Sequence, residues 1–419
     1  MIKSCKIRIY PNKSQIKIID NTLGCCNWIK NKYLEINIKR YKEDESFISG
    51  YDFSKYINHL KKNNPNYYWL KEYSSKAIKD AIMSKEKAYK DFFKSNKGFP
   101  KFKSRKRLNK ESYFFIKDNI HYTDNKYIIK LPILGEVRIT EHGYLPDIET
   151  INSGRIIREY DKYYVMLIYE TNTNHIKTYK SNNIGIDLGV KNYATISSKD
   201  KSYFITHFKD DERYKDIQNK INKLQTTISK KVEINYGKLL NKFLDIKNGE
   251  EPNEIQKNIM KGESYKTTQI RKLRKKMRSL NKRLNNIRCN YINKLVNLLT
   301  VRTKPSTITI EDLDISDIIS HDHEYIKKLH DNISKSNFYY FRQCLINKCY
   351  YYGITLRIAD RYYPSSKICS CCGHKKKDLV LSDRIYHCDK CGLEINRDIN
   401  ASINLLNMKD KHCIMFKYA

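Results

Sequence analysis

The sequence predicts a mixed α/β chain of several domains, and three observations predict it. The chain has 419 residues, a length that suggests two to four domains. Its hydrophobic periodicity changes along its length, from helical near the N-terminus to strand-like over 112–180 and back to long helices from about 206. A cluster of five cysteines within 369–391 then interrupts the last strand-and-helix segment.

The elements follow in order. Residues 3–10 alternate as a strand that ends at Pro11, and Asn12 or Ser14 can cap the next helix. Ile16, Ile19, Leu23, Cys26, Ile29 and Tyr33 recur at 3–4 spacing and define one helical face. A second helix covers 74–94, with Ile78, Ala81, Ile82, Ala88 and Phe92 on one side; Gly98-Phe99-Pro100 ends that region. Short runs at 113–116, 127–131, 137–140 and 163–169 read as strands of a barrel or sandwich that the N-terminal strand can complete. Asp118-Asn119 and Asn152-Ser153-Gly154 read as turns between them. Residues 184–198 read as a hairpin. Two helices follow, marked by Tyr214, Ile217, Ile221, Leu224, Ile228 and by Ile270, Leu273, Met277, Leu280, Leu284, Ile287, with a polar insertion over 234–266 between them. Strands return at 307–310 and 354–358, and 398–407 reads as a short helix.

The composition restricts the function. Hydrophobic residues make up 40% of the chain, enough for packed cores, and the formal net charge is +35. Such an excess of cations seeks an acidic polymer, and nucleic acid is the commonest. No run approaches the ~18–20 uncharged apolar residues of a membrane helix. Lysine breaks the opening Met1-Ile-Lys-Ser-Cys-Lys, so neither a secretory leader nor a membrane partner is expected. Twelve cysteines in so long a chain point to metal binding in a reducing compartment and not to a disulfide scaffold.

Three constellations carry chemistry. Cys369-x2-Cys372 and Cys388-x2-Cys391 each precede a glycine, Gly373 or Gly392, and two such knuckles present four thiolates to one ion. This donor set suits structural zinc, and a closed four-thiolate site leaves no position for catalysis. Cys371 is the spare thiol, and a swap with its neighbours stays open. The second constellation is acidic. Asp187 lies in Ile184-Gly-Ile-Asp-Leu-Gly189, Glu311 ends Thr307-Ile-Thr-Ile-Glu311, and Asp398 opens Arg397-Asp-Ile-Asn-Ala-Ser-Ile-Asn404. A carboxylate in a buried strand is costly unless a cation compensates it, and oxygen ligands from separate elements fit a pair of Mg2+ ions. Asp398 equally fits a helix N-cap, and Asp312 or Asp314 can stand in for Glu311. The third is the helix 270–288, where Arg271, Arg274, Lys275 and Arg278 lie among further basic residues and no acid is interleaved. Its self-repulsion is relieved by a polyanion. Lys101, Lys103 and Arg105 form a similar cluster, with Phe99 and Phe102 beside it.

Together these residues resemble the TnpB (OrfB) family of transposon-encoded, RNA-guided DNA endonucleases, relatives of the miniature type V CRISPR effectors. Ile9-Tyr-Pro-Asn-Lys-Ser-Gln15 and Leu23-Gly-Cys-Cys-Asn-Trp28 resemble its opening strand and helix, and Ala88-Tyr-Lys-Asp-Phe-Phe93 with Gly98-Phe-Pro-Lys-Phe-Lys-Ser104 the end of its helical segment. Ile186-Asp-Leu-Gly-Val-Lys-Asn192, Ile310-Glu-Asp-Leu313 and Arg397-Asp-Ile-Asn-Ala-Ser402 resemble its three RuvC motifs, and Tyr363-Pro-Ser-Ser-Lys-Ile-Cys-Ser-Cys-Cys-Gly373 the approach to its zinc ribbon. The resemblance implies an RNase H-like RuvC core over 182–368 and 392–419, with a helical insertion at 206–300 and a zinc ribbon at 369–391. It implies a β-barrel wedge domain from 1–10 and 106–181, interrupted by a helix-turn-helix-like recognition domain over 11–105. It further implies Asp187, Glu311 and Asp398 as catalytic Mg2+ ligands, one structural Zn2+ on the four cysteines, and a transposon-derived guide RNA and double-stranded target DNA as partners. Cleavage would fall next to a short motif that the protein reads. A non-cleaving RNA-guided binder and a CRISPR-associated effector are the alternatives. The expected location is the nucleoid-associated cytoplasm of a prokaryote, or the interior of a host cell for a viral protein. Two departures stand out: Asn396, where many members carry an acid, and the long 234–266 insertion.

Overall fold

The computed structural model describes residues 2–44, 46–95, 98–104, 110–118, 120–140, 143, 145–171, 182–244, 267–312, 336–361, 363–380 and 383–416. The chain divides into two compact units, 1–173 and 174–419.

The first unit begins with β1 (Ile2–Tyr10), in which Cys5, Ile7 and Ile9 point to the core and the residues between them point out. Pro11 stops the strand and Asn12 starts α1 (Lys13–Asp44), its carboxamide oxygen accepting from the Gln15 N–H and the Ser14 hydroxyl. Helices α2 (Gly50–Asn63) and α3 (Ser75–Ser95) complete the helical part. A polar, tyrosine-rich composition hides α2 in the sequence, but its Ser49 cap and the buried Phe53 and Ile57 account for it. The chain then returns to the sheet through β2 (Lys110–Ile116), β3 (His121–Tyr122), β4 (Ile128–Leu131), β5 (Gly135–Ile139), β6 (Ile151–Glu159) and β7 (Lys162–Glu170). The strands pair in the order β2-β6-β7-β1-β5-β4-β3, every pair antiparallel, so the N-terminal strand sits in the middle.

One predicted turn is corrected. Asn152-Ser153-Gly154 is not a connection but the start of β6. Gly154 is there for space: a Cβ built on it would meet the Phe115 ring at 2.3 Å, so the ring of the neighbouring strand covers the glycine. Two arginines on β6 reach the helices of the same unit. Arg155 grips Asp80 of α3 with both guanidinium nitrogens, and Arg158 bridges Asp20 of α1 and Glu111 of β2.

The second unit is built on a six-stranded sheet. Strands β8 (Ile184–Leu188), β9 (Ala194–Ser197) and β10 (Ser202–Ile205) form an antiparallel meander. Helices α4 (Glu212–Leu244) and α5 (Thr268–Asn297) follow as a pair, burying Tyr214, Ile217 and Ile221 against Leu280 and Leu284. The first part of the predicted insertion, 234–244, continues α4, while 245–266 lies outside the described residues. Then come β11 (Thr307–Ile310), α6 (Phe338–Tyr352) and β12 (Thr355–Ala359). Strands β8, β11 and β12 are parallel neighbours, and every residue of β11 is buried, as expected for the centre of a sheet covered on both faces. A small hairpin, β13 (Ile385–His387) with β14 (Glu394–Asn396), leads directly into α7 (Arg397–Leu406), and β15 (Cys413–Phe416) closes the sheet edge antiparallel to β12. Among the described residues no helix is long and apolar enough to cross a membrane.

Helix α7 lies directly on β8. A Cβ on Gly185 would meet the Ser402 carbonyl oxygen at 2.2 Å and the Leu406 nitrogen at 2.4 Å, both backbone atoms that cannot swing aside. A buried hydroxyl contact, Ser197 Oγ to Ser402 Oγ at 2.6 Å, fastens the same helix to β9. Gly185→Ala should therefore destabilise this unit by about 3 kcal/mol, the upper end of the overpacking range. A chemical-denaturation midpoint equal to that of the wild type would show that the helix is not seated this closely.

Candidate metal centres and nucleic-acid surface

The four cysteines converge. Their Sγ atoms all lie within 4.8 Å of one another, with Cys369 to Cys391 and Cys372 to Cys388 each at 3.6 Å. A tetrahedral site with Zn–S near 2.3 Å places sulfurs about 3.8 Å apart, so the donor set fits zinc closely. The knuckle glycines have the expected left-handed backbone, φ +73° at Gly373 and +68° at Gly392. The N–H of Gly373 bonds back to the Cys369 carbonyl and that of Gly392 to the Cys388 carbonyl. Burial opposes ionisation of the Cys388 thiol, but the N–H groups of Cys391 and Lys390 outweigh it and bring the thiol down to about 6. Cys371 is exposed and outside the cluster.

The predicted carboxylates come from three elements of the second unit. Asp187 is on β8, Glu311 directly follows β11, the parallel neighbour of β8, and Asp398 is in the first turn of α7. Burial first, then the charges of Glu311 and Asp398, push the Asp187 carboxyl well above the ordinary range; Arg397 opposes this. Glu311 is raised in turn by burial, against a hydrogen bond from Ser365, with the charge of Asp398 adding to the rise. Among the described residues only the cysteines bring three or more ligand atoms within 4.8 Å, so the carboxylates face one another at longer range. Their charges repel one another, and cations between them would relieve this. This donor set fits hard divalent ions such as Mg2+.

The alternatives left open by the sequence separate here. The N-cap of α7 is Asn396, whose side-chain oxygen accepts from the N–H groups of Asp398 and Ile399, so Asp398 is not spent on capping. Asp312 is paired with Arg342 of α6, away from the carboxylate group, and Asp314 lies outside the described residues.

Several residues of the site were not singled out from the sequence. Ser365 is buried and donates its hydroxyl hydrogen to Glu311 Oε1. Asn400 and Asn404, also buried, donate to the carbonyls of Ile368, at 2.7 and 2.6 Å, and Asn404 to that of Ser365 at 2.7 Å. The signal was present: Asn396, Asn400 and Asn404 repeat every four residues, a polar row on a helix face that the fold buries.

The predicted basic residues lie on elements other than those that carry the two centres. On α5, Arg271, Lys275 and Arg278 are exposed and Arg274 is half-buried, while the apolar stripe faces α4. In the first unit Lys101 and Lys103 are exposed on a strap whose backbone is pinned by α1: the Lys103 carbonyl accepts from Asn27 and Asn31, both at 3.0 Å. Buried Lys85 beneath this strap is driven down to about 8 by burial and by the charges of Lys103 and Lys30. Phe99 packs edge-on against Tyr89 and Phe92, whereas Phe102 is exposed. Arg105 lies outside the described residues.

The fold and these centres define a class: a mixed α/β protein with a four-cysteine cluster suited to a structural metal. A profile described as "Cas12f1-like, TNB domain" matches 338–405, and a helix-turn-helix domain profile of the OrfB/IS605 type matches 1–46. The chain is 26% identical to a protein of Streptomyces pristinaespiralis that carries the name RNA-guided DNA endonuclease, over 96% of this chain and 88% of the relative. It is 22% identical to Escherichia coli InsQ, which carries the same name, over 97% and 92%. Among solved structures it shares the fold of the protein in a Cas12f1–sgRNA–target DNA complex, with TM-score 0.52, 13% identity and coverage of 98% and 99%. The chain is thus similar, over nearly its whole length, to proteins named as RNA-guided DNA endonucleases, and at its N-terminus to the OrfB/IS605 helix-turn-helix domain.

Two measurements check the centres. Cys388→Ser should release the metal, since a three-thiolate remnant binds zinc far more weakly; one zinc per chain by elemental analysis after this change would mean that the ligand set is different. Asp187→Asn removes a carboxylate that folding raises. Such a group weakens the fold as pH climbs from its unfolded value through its raised folded one, so its neutral replacement should stabilise the metal-free protein at pH 7.5. A Tm gain of about 2–4 °C is expected, corresponding to ~1 kcal/mol in a unit of this size. The gain should shrink at pH 4 and when Mg2+ is added, as differential scanning calorimetry would register.

Proposed function

We propose that the chain is an RNA-guided DNA endonuclease that hydrolyses phosphodiester bonds with divalent metal, cutting target DNA beside a short motif. The observation that carries this reading is the meeting of Asp187, Glu311 and Asp398 from two parallel strands and one helix, where desolvation and mutual repulsion leave a demand for cations. The similarity across nearly the full length of two relatives named RNA-guided DNA endonuclease supports it.

In this reading the six-stranded sheet with α7 is the RNase H-like RuvC core, and 369–391 is its zinc ribbon. The seven-stranded sheet is the wedge domain, and the helices between β1 and β2 are the recognition domain. Asp187, Glu311 and Asp398 hold Mg2+. Bound there, a pair of divalent ions supplies an activated water and stabilises the leaving oxygen of the scissile phosphate. Arg397 lowers the charge density beside Asp187 and so tempers the repulsion before the metal arrives. The cysteine centre anchors the segments flanking α7 and takes no part in the chemistry. Lys101, Lys103, Arg105, Arg271, Arg274, Lys275 and Arg278 contact phosphates of a transposon-derived guide RNA and of target DNA, leaving sequence choice to base pairing. The protein would act in the cytoplasm of a prokaryotic host, or inside the infected cell if viral.

Asp187→Ala should abolish Mg2+-dependent cleavage of matched DNA by the guide-loaded protein, with RNA and DNA affinity changed less than threefold. Unimpaired cleavage would remove Asp187 from the reaction. A wild-type complex that binds matched DNA yet never cuts it across millimolar Mg2+ would establish the RNA-guided binder instead.

A further inference from the structure

The segment Ser365–Ser370 follows β12 and contains Cys369, the first cysteine of the cluster, and it is held from two directions. From α7, Asn404 donates to the Ser365 carbonyl at 2.7 Å and to the Ile368 carbonyl at 2.6 Å. Asn400 donates to the Ile368 carbonyl at 2.7 Å and accepts from the Ser370 N–H at 2.9 Å. Within the segment, the Ile368 N–H reaches the Pro364 carbonyl and the Ser365 N–H the Tyr363 carbonyl. Asn400 is fully buried, Asn404 is 7% exposed and Ser365 4% exposed, so water cannot replace these bonds. The free hydroxyl of the clamped Ser365 then donates to Glu311 Oε1.

This arrangement is more than packing. Glu311 stands just past the end of β11, where its backbone is no longer held by a strand ladder on both sides, and a glutamate has three rotatable bonds. A donor fixed to within the tolerance of a clamped backbone removes that freedom. It also occupies one lone pair of Oε1 and leaves Oε2 open.

We propose that Ser365 is a positioning residue for Glu311: its hydroxyl, fixed by the Asn404 and Asn400 clamp, selects the Glu311 rotamer that presents a carboxylate oxygen to a divalent cation. The inference rests on the nuclease-site reading above. It also gives the α7 asparagines a role, which is to transmit the position of the cysteine knuckle and helix to the glutamate 54 residues earlier in the chain. Hydrogen bonds to metal-ligating carboxylates from residues behind them commonly govern metal affinity by 10–100-fold.

The test is a Mn2+ titration of the full chain as purified, followed by electron paramagnetic resonance, alongside the Mg2+ dependence of cleavage. Ser365→Ala removes one oxygen and leaves the backbone carbonyl that Asn404 holds. It should raise the Mn2+ half-saturation about tenfold, with zinc content and RNA affinity unchanged and cleavage largely recovered at saturating Mg2+. A merely structural serine would lower cleavage at every Mg2+ concentration or not at all. Ser365→Thr retains the hydroxyl and should bring half-saturation back towards the wild-type value. Half-saturation within twofold of wild type for Ser365→Ala overturns the proposal, provided Glu311→Gln abolishes Mn2+ binding in the same assay. If Glu311→Gln also binds Mn2+ normally, the assignment of Glu311 to the metal site falls, and the role of Ser365 falls with it.

Discussion

The second unit depends on one constraint: three half-buried carboxylates that repel one another must be held together. Hydrophobic burial cannot do this, because it is indifferent to where a charge sits and opposes its presence. The work falls to backbone geometry. Parallel pairing of β8 with β11, in the register Ile186 to Ile310, brings Asp187 and Glu311 to the same end of the sheet, each one residue beyond that pair. The third carboxylate comes from a helix, and a helix normally stands about 10 Å off a sheet because side chains separate them. Gly185 removes that separation at one point and lets the backbone of α7 rest on β8. Asn396 caps the helix in place of Asp398, whose carboxylate is not spent on the cap and lies 3.8 Å from the Arg397 guanidinium.

That arrangement explains why the cysteine centre sits where it does. The chain leaves β12, makes the two knuckles and the β13–β14 hairpin, and enters α7 with no linker, since β14 ends at Asn396 and the helix begins at Arg397. A loop of this length would be too slack to position Asp398. Four thiolates closing on one ion would turn it into a rigid bracket at a cost in chain length far below that of a hydrophobic core. The asparagines of α7 then clamp the near side of the bracket, and the Arg397 N–H bonds to the Arg384 carbonyl on its far side. The two candidate metal centres thus differ in their donors and are joined through α7.

Much of this was legible in the sequence, and the reasons differ by residue. Asp187 and Glu311 are conspicuous because an acid at the end of an apolar strand contradicts its surroundings, and only a compensating partner resolves the contradiction. The cysteines are legible because ligand spacing within a knuckle is local. Gly154 misled, because Asn-Ser-Gly has turn composition and the true cause, the Phe115 ring on the next strand, is 39 residues away in sequence. Helix α6 escaped for a related reason: Phe338, Phe341, Leu345 and Cys349 have helical spacing, but the surrounding tyrosines carry strand propensity, and packing against the sheet decided the outcome. Ser365 was invisible. A serine declares its function only through the atom it meets, and that atom belongs to Glu311, 54 residues earlier in the chain.

The cationic surface obeys a different logic from the metal sites. Most of the lysines and arginines on α5 lie on the side of the helix that the Leu280–Leu284 stripe leaves outside, while Arg288 donates to the Tyr214 hydroxyl at 2.7 Å. Such a surface is specific for charge and shape and not for sequence, and its affinity falls steeply with salt as condensed counterions cease to be a favourable release. The strap at Lys101–Lys103 is built with more care, its backbone fixed by two asparagines so that its lysines need no intramolecular partner to hold them in place. A protein that leaves sequence recognition to a base-paired guide can use both kinds of surface. On the proposed reading, loose cationic helices would gather the polyanion, a few pinned cations would set its register, and the carboxylates, which would repel any phosphate unaided, would become compatible with one only when divalent ions stand between.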